Sequence, residues 1–472
     1  GGLPSHSHSP SPPPSPFCNH EEEVMTDSWR GHRKHVFVLS EAGKPIYSRY
    51  GNEEALSTTM GVMTALVSFV QSGDDTIRSI HSDDHTVVFM QQGPLVLVLV
   101  SNNKQCEHQL HTELLYVHYQ IVSMLTQASI NRIFEQKQNY DLRRLLTGSE
   151  RTLDGLLDLI DHDPSFLLSA VQCVPLSSSL RDSISQAMQR ATTPNLVFSI
   201  LIANNQLLTI VQERMVLEDA RLKPIDLLLV LNFITSSSAF HGGEIWTPIC
   251  LPLFNADCYF YAYVAFLDPP ACTVCLLLIT TDRNAFFAAA ECKRKIEESF
   301  RAQNVLADIA RAESYHASQV GVPDLRHFMY MPFNIPDKHH QLPQFTSSLM
   351  AEPYVGRERT RLLDLYRNVH SRIHSTTPPL KIIYRVSKKE VLFAWTTEKF
   401  ELYTCFCPFV TKASAINHVT KLLRWIKKAE DRLFIRSPPK YSTVPSTRTG
   451  GSSDRHGGSN RQENPDGGLS LL

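Results

Sequence analysis

Residues 35–51 read His35-Val-Phe-Val-Leu-Ser-Glu-Ala-Gly-Lys-Pro-Ile-Tyr-Ser-Arg-Tyr-Gly51. Two alternating strand-like runs flank a Glu41-Ala42-Gly43-Lys44 turn, which is the pattern of a β-hairpin. Downstream, apolar residues at spacings of three and four predict a helix, and three strand-like runs and a second helix follow it. The sequence therefore predicts a small α/β unit with the order strand, strand, helix, three strands, helix.

The same order of elements recurs twice more along the 472 residues. We predict an α/β (α+β) fold of three domains, each a five-stranded, mostly antiparallel sheet flanked by helices. The first domain spans residues 34–192 and includes extra helices, the second spans 193–315, and the third spans 323–436. Residues 1–33 are rich in Pro and Ser and residues 437–472 in Gly and Ser, so both ends are predicted to be disordered tails.

The overall composition argues against several classes of protein. With 46 Lys and Arg against 47 Asp and Glu, the net charge is −1, and bulk nucleic-acid binding is not expected. No run reaches the ~20 apolar residues of a membrane-spanning helix, and the N-terminal residues lack the pattern of a secretory signal. Most of the ten Cys lie in apolar runs, as reduced core thiols do, so we expect a cytoplasmic protein.

The motifs of nucleotide binding and covalent catalysis are missing from the sequence. Gly43-Lys44-Pro45 lacks the flanking residues of a phosphate loop and favours a turn between strands. Cys272-Thr-Val-Cys275 and Cys405-Phe-Cys407 lie in apolar strands, which favours buried thiols over a zinc site. Ser82-Asp83-Asp84-His85 contains the residue types of a catalytic triad, but their adjacency favours a solvated turn. We predict no catalytic residue, no cofactor and no metal site.

The first helix carries a face of small residues. Ser57, Gly61 and Ala65 recur at every fourth position beside Thr64, roughly a quarter-turn from the apolar stripe that contains Met60. Gly61 costs the helix about 1 kcal/mol relative to Ala, and a small face lets another backbone approach closely. We predict that Ser57, Met60, Gly61, Thr64 and Ala65 contact a protein partner. Close packing against the unit's own sheet is the alternative.

Two further surfaces are candidates for contacts. Trp246 follows a pair of glycines and is interpreted either as an interface anchor or as a core residue at the start of a strand. Lys421, Arg424 and Lys428 fall on one side of the last helix, where they form either a solvated face or a site for anionic lipid headgroups. We predict membrane contact for these three basic residues.

The element order strand, strand, helix, three strands, helix is that of the longin fold. Three stretches resemble the Mon-one family of vacuolar fusion proteins, namely residues 35–51, Phe89-Met-Gln-Gln-Gly-Pro-Leu95 and Glu244-Ile-Trp-Thr-Pro-Ile-Cys-Leu-Pro252. The resemblance extends over about residues 32–436. It implies three longin domains, in agreement with the repeated order of elements.

The resemblance also implies a function and partners. Members of this family pair with a Ccz-one subunit to form a guanine-nucleotide exchange factor for the late-endosomal Rab-seven GTPase. The complex drives early-to-late endosome maturation, fusion with vacuoles or lysosomes, and autophagy, and the first longin domains of both subunits form the GTPase platform. A third regulatory subunit and an anionic, phosphoinositide-containing membrane are further candidate partners.

This function agrees with the missing catalytic motifs. An exchange factor needs a shaped surface that favours the nucleotide-free GTPase, not an acid, a base or a nucleophile. The expected location is cytoplasmic, peripherally associated with endosomal and lysosomal or vacuolar membranes. The alternative is a passive longin scaffold or tether that recruits trafficking partners to membranes without nucleotide exchange.

Overall fold

The computed structural model describes residues 18–71, 79–138, 140–214, 221–237, 243–335, 341–437 and 440–442. The chain divides into two compact units. The first unit contains the described residues up to His118 and Ile130–Asp158, and the second contains Tyr119–Ser129 and the described residues from Leu159 onward. In these described parts, no helix is both long enough and apolar enough to cross a membrane.

The first unit is built on a five-stranded antiparallel sheet with the spatial order β2-β1-β5-β4-β3. Its strands are β1 (Lys34–Ser40), β2 (Pro45–Ser48), β3 (Ser79–His81), β4 (Thr86–Gln92) and β5 (Leu95–Ser101). Strand β1 pairs with β5 along its whole length, and all of its residues are buried. This internal position between β2 and β5 explains why β1 needs apolar residues on both faces.

Five helices accompany this sheet in the sequence. They are α1 (Asp27–Arg30), α2 (Ser57–Gln71), α3 (Glu107–Leu125), α4 (Gln127–Gln136) and α5 (Glu150–His162). Helix α2 covers one face of the sheet, where its inward side chains pack with Phe37, Leu39 and Val98. The apolar periodicity of 3.6 residues in α2 therefore matches the alternate residues of β1 and β5 that point to the same face.

The second longin domain has a sheet with the order β17-β8-β7-β11-β10-β9. Helices α7 and α10 cover one face of this sheet and helix α8 covers the other. The elements from the domain linker onward are α6 (Pro164–Leu168), β6 (Val171–Gln172), α7 (Ser178–Arg190), β7 (Leu196–Ala203), β8 (Gln206–Glu213), α8 (Pro224–Ser236), β9 (Glu244–Leu251), α9 (Pro252–Asn255), β10 (Ala256–Phe266), β11 (Val274–Thr280), α10 (Phe286–Ala302) and α11 (Val305–Arg311).

The third longin domain has a sheet with the order β14-β15-β16-β12-β13-β6. Helix α12 covers one face of the sheet and helix α13 the other. The elements are β12 (Leu325–Pro332), β13 (Gln344–Ser347), α12 (Arg357–His374), β14 (Ile382–Val386), β15 (Val391–Thr396), β16 (Phe400–Phe406), α13 (Lys412–Leu433) and β17 (Lys440–Ser442).

Two short strands join the second and third sheets inside the second unit. Strand β6 pairs in parallel with β13, and the next residue, Cys173, forms a bridge with Leu207 of β8. Strand β17 follows the third domain but pairs in parallel with β8. On α7, buried Arg181 donates to the carbonyl oxygens of Leu208 and Arg432, at 2.6 and 3.2 Å. The two domains therefore share strands and form one compact unit.

The predicted fold of three longin domains is confirmed, with two differences in detail. The second and third sheets have six strands because β17 and β6 come from outside the repeated order. Residues 18–33 differ from the predicted disordered tail, since Trp29 is buried and its Nε1 donates to the Tyr50 carbonyl oxygen at 3.1 Å. Strand β17 likewise lies within the predicted C-terminal tail, whereas residues 1–17 and 443–472 lie outside the described residues.

Candidate functional site

Helix α2 divides into an inward and an outward face. Leu56, just before the helix, and Met60 and Val67 within it are buried in the core cluster of the first domain. The outward face carries the small residues Ser57, Gly61 and Ala65, all exposed. A Cβ atom built at Gly61 would meet no described atom within 4 Å, so there is room for at least a methyl group at this position.

Two of the predicted contact residues do not belong to the exposed outward face of α2. Met60 is fully buried under the helix, so the prediction that it forms part of a surface is wrong, because it belongs to the apolar stripe. Thr64 is half-buried, and its hydroxyl donates to the Met60 carbonyl oxygen at 3.0 Å. Ser57, Gly61 and Ala65 remain as the exposed members of the predicted set, and their role in binding stays a prediction.

The outward face also presents two apolar side chains that the sequence-based prediction missed. Val62 is 65% exposed and Leu66 is 39% exposed. They are four residues apart and each follows a small residue of the predicted face, so the i, i+4 rule places them side by side. We call Ser57, Gly61, Val62, Ala65 and Leu66 the α2 face. In the sequence, the signal for this surface was the apolar pair Val62 and Leu66 next to the stripe of small residues.

The equivalent helices of the other two domains differ from α2. Helix α8 is buried along most of its length, with Thr235 as its exposed residue. The exposed positions of helix α12, such as Arg359 and Asn368, are polar. Among the described residues of these three helices, large exposed apolar side chains therefore occur on α2 alone.

Trp246 belongs to the core side of strand β9. It is half-buried, packs against the hydrophobic cluster under α7 and α10, and lies parallel to Tyr261 with 6.0 Å between ring centroids. Phe286 meets it edge-on, also at 6.0 Å. Of the two interpretations offered by the sequence, the geometry favours a core residue at the start of a strand over an interface anchor.

The basic residues of the last helix lie on its exposed side. Lys421, Arg424 and Lys428 are all exposed on α13, whose opposite side packs on the third sheet. Immediately before this helix, Phe409 is 90% exposed. A bulky aromatic side chain next to a basic helix is typical of surfaces that touch lipid interfaces.

Two basic residues of helix α12 have structural roles instead. Arg361 pairs with Glu358 and Glu390 at 2.7 and 2.6 Å. Arg367 is buried and donates to the carbonyl oxygens of Ile160 and Asp161 at 2.6 and 2.8 Å. These contacts hold two of the α12 arginines within the protein, whereas Lys421, Arg424 and Lys428 of α13 are all exposed.

Three buried cysteines, Cys18, Cys275 and Cys405, have environments that suppress thiolate formation. Burial raises the pKa of Cys275 and of Cys405 to about 12 each. Cys18 lies near the paired side chains of His20 and Asp154, whose Nε2 and Oδ2 atoms are 2.8 Å apart, but burial raises its pKa to about 12 as well. A thiol with such a pKa stays protonated at neutral pH and is a poor nucleophile.

Comparison with known sequence families agrees with this geometry. The family descriptions "First Longin domain of FUZ, MON1 and HPS1", "Second Longin domain" and "Third Longin domain" of the same proteins match residues 34–156, 194–298 and 324–430. Vacuolar fusion protein MON1 homolog B of Homo sapiens is 56% identical over 455 residues, which cover 92% of this chain and 83% of that protein. The chain belongs to the MON1 family.

Other relatives in the MON1 family show similar coverage. Vacuolar fusion protein MON1 homolog A of Gallus gallus is 53% identical over 425 residues, covering 89% of this chain and 75% of that protein. Protein SAND of Takifugu rubripes is 51% identical over 425 residues, covering 89% of this chain and 79% of its own length. The three matched longin segments each contain the five core strands of one of the sheets described above.

Proposed function

We propose that this chain is one subunit of a heterodimeric guanine-nucleotide exchange factor for a Rab-seven-type GTPase, with a Ccz-one protein as the other subunit. In this role it acts in vacuolar fusion, in endosome maturation and in autophagy. Two findings support a role in vacuolar fusion: the chain belongs to the MON1 family, and the relatives are named vacuolar fusion proteins. The α2 face is the observation on which the assignment of a binding surface depends.

The α2 face has the properties of a protein contact site. Burying a fully exposed Val or Leu side chain contributes roughly 1.5–3 kcal/mol, and Val62 and Leu66 are both accessible to a partner. Gly61 and Ala65 beside them allow a second backbone to come close, which gives shape selectivity without charged groups. We propose that the GTPase, placed between the first longin domains of the two subunits, is the occupant of this face.

A contact of this kind is sufficient for nucleotide exchange. The GTPase holds its nucleotide with its own phosphate-binding groups and metal ion, so a factor that binds the nucleotide-free conformation more tightly accelerates release. Such binding displaces the switch segments of the GTPase, which order and disorder with the nucleotide. Covalent chemistry by this chain is not required, and we propose that it is a regulator without catalytic residues.

Membrane attachment is the second part of the proposal. We propose that the α13 residues Lys421, Arg424 and Lys428 contact anionic lipids, at about 1 kcal/mol per basic residue near the surface. Phe409 lies beside this helix and is suited to enter the headgroup region. Peripheral association of a cytoplasmic protein with endosomal and lysosomal or vacuolar membranes follows from this assignment.

The test is the release of fluorescent GDP from the Rab-seven-type GTPase in the presence of this chain, of the Ccz-one subunit, and of both together. The proposal requires acceleration by the heterodimer beyond that of either subunit. If the heterodimer binds anionic liposomes but leaves GDP release unchanged, the exchange function is wrong and the alternative of a longin tether stands. The basic face of α13 is the feature that supports this alternative.

A further inference from the structure

Three potential metal ligands meet in the third longin domain, far along the sequence from helix α2. His370 and His374 are one turn apart on α12, and Glu401 is on the adjacent strand β16. One ligand atom from each residue lies within 4.8 Å of the other two. The His374 Nε2 atom is 2.7 Å from Glu401 Oε1, and the two imidazole centroids are 4.4 Å apart.

The helix and the sheet hold these side chains together. The α-helical repeat places residues four apart on the same face, and the buried residues Val369 and Ile373 fix which side of α12 meets the sheet. His370 and His374 follow each of these by one position, so both lie at the edge of the packed face. Glu401 enters from β16, where the strand passes beneath the last turn of α12.

A neighbouring side chain orients the carboxylate. Tyr403, which is buried, donates its hydroxyl to Glu401 Oε2 at 3.1 Å and leaves Oε1 directed at His374. The Tyr403 ring also packs against the His370 imidazole, with centroids 6.2 Å apart and an interplanar angle of 29°. Glu401 is 5% exposed whereas His374 is an exposed residue, so the cluster has a buried carboxylate and an opening to solvent. Ligand support of this kind is typical of protein metal sites.

We propose that His370, His374 and Glu401 bind one divalent transition-metal ion of the zinc class. Two imidazole nitrogens and one carboxylate oxygen suit zinc or cobalt, and they disfavour magnesium and calcium, which prefer oxygen ligands only. Tetrahedral zinc with these ligands needs donor atoms about 3.3 Å apart. The donor atoms of the cluster, all within 4.8 Å of one another, lie in the range from which this spacing can be reached by side-chain adjustment.

The bound ion joins the C-terminal turn of helix α12 to the central part of the third sheet. Three protein ligands leave a fourth position for water on the solvent side. This site is separate from the α2 face, and it stabilises the third domain rather than the GTPase contact. Its test is therefore independent of the exchange activity.

The experiment is a titration of the chelator-treated chain with Co²⁺, in which binding is followed by the visible absorption of the tetrahedral ion. Zn²⁺ is then added as a competitor. We expect one Co²⁺ per chain and its displacement by Zn²⁺. His370→Ala and His374→Ala should each weaken Co²⁺ binding by about tenfold or more. His418→Ala removes a histidine of the same domain that also has an acidic neighbour, Asp324, and should leave binding unchanged.

A second measurement guards against variants that fail to fold. Zn²⁺ should raise the thermal midpoint of the wild-type chain and of His418→Ala, because a ligand bound to the native state stabilises it. The milder Tyr403→Phe change retains all three ligands and should weaken Co²⁺ binding without abolishing it. The proposal is overturned if the wild-type chain does not bind Co²⁺ stoichiometrically, or if the His370→Ala/His374→Ala double variant binds it equally well. In either case His374 and Glu401 form only an ion pair.

Discussion

Gly43 in the β1–β2 turn lies directly against Thr64 of helix α2. A Cβ atom at position 43 would come within 3.3 Å of Thr64 Oγ1 and 3.6 Å of the Gly61 Cα atom. The backbone φ angle of Gly43 is +82°, in the left-handed region that favours glycine. The hairpin turn therefore packs against α2 on one side of its small residues. The side that carries Val62 and Leu66 remains exposed to solvent.

Gly43→Ala tests this close approach. We expect a loss of about 1–2 kcal/mol from the left-handed conformation alone, with a further loss because the new methyl group crowds Thr64. Urea denaturation of the chain, monitored by a probe in the first domain, measures the change in the free energy of unfolding.

Gly148→Ala is the matched control for the Gly43 variant. Gly148 has nearly the same φ angle, +81°, but a Cβ there would meet no described atom within 4 Å. Gly148→Ala should therefore lose only the part of the free energy of unfolding that comes from the left-handed conformation. Equal losses in the two variants would contradict a tight contact between the turn and α2.

Asp226 gives the second domain a predicted pH dependence. Its side chain is fully buried on α8, Oδ1 accepts a hydrogen bond from the Leu253 amide at 3.1 Å, and burial raises its pKa from 3.8 to about 7. Because the native state retains the proton where the unfolded state has lost it, the stability contributed by this group is complete below about pH 4 and decreases up to about pH 7.

Asp226→Asn should remove this dependence while keeping an oxygen for the Leu253 amide. The free energy of unfolding of the wild-type chain, relative to the variant, should decrease by roughly 4 kcal/mol between about pH 4 and about pH 8. Urea unfolding at the two pH values measures this. A constant difference between the two proteins would show that Asp226 does not hold its proton in the folded state.

Charge reversal on α13 tests the membrane surface. Lys421→Glu, Arg424→Glu and Lys428→Glu together should strongly reduce sedimentation with anionic liposomes, since each exposed basic residue near the surface contributes about 1 kcal/mol. The control combines Arg283→Glu, Lys295→Glu and Arg301→Glu, which change the net charge equally at exposed positions of the second domain. If both triple variants lose the same amount of binding, net charge is responsible and α13 is not a specific lipid surface.

The order of the elements was predictable because the apolar periodicity changes clearly between strands and helices. The hairpin at Gly43 and the three repeated units follow from this local pattern. The sixth strands were not predictable, since β6 and β17 are only two and three residues long and depend on partners far along the chain. The order of residues 18–33 was not predictable either, since it depends on the burial of Trp29 in a segment whose overall composition resembles a tail.

The candidate surface was predicted only in part. The spacing of Ser57, Gly61 and Ala65 identifies a small outward stripe, but Met60 was included although its apolar side chain belongs to the core. The exposure of Val62 became clear only from the packed helix, because an apolar residue in a helix is ordinarily assigned to the core. The pairing of His370 with Glu401 depends on the contact between α12 and β16, which local sequence does not reveal.

The α2 face is tested most directly by GDP release with Gly61→Leu in the heterodimer. Leu has a helix propensity about 0.8–1 kcal/mol better than Gly, and a Cβ atom at position 61 would meet no described atom within 4 Å, so we expect the variant chain to fold. The added side chain blocks close approach of the GTPase. Phe287→Asp, which alters an 82% exposed aromatic residue of the second domain, is the surface control.

The account predicts that the Gly61→Leu heterodimer releases fluorescent GDP from the Rab-seven-type GTPase at least about tenfold more slowly than the wild type, a loss of about 1.4 kcal/mol. The Phe287→Asp heterodimer should retain the wild-type rate. A folded, partner-bound Gly61→Leu heterodimer with the wild-type exchange rate would contradict the assignment of the GTPase contact to helix α2.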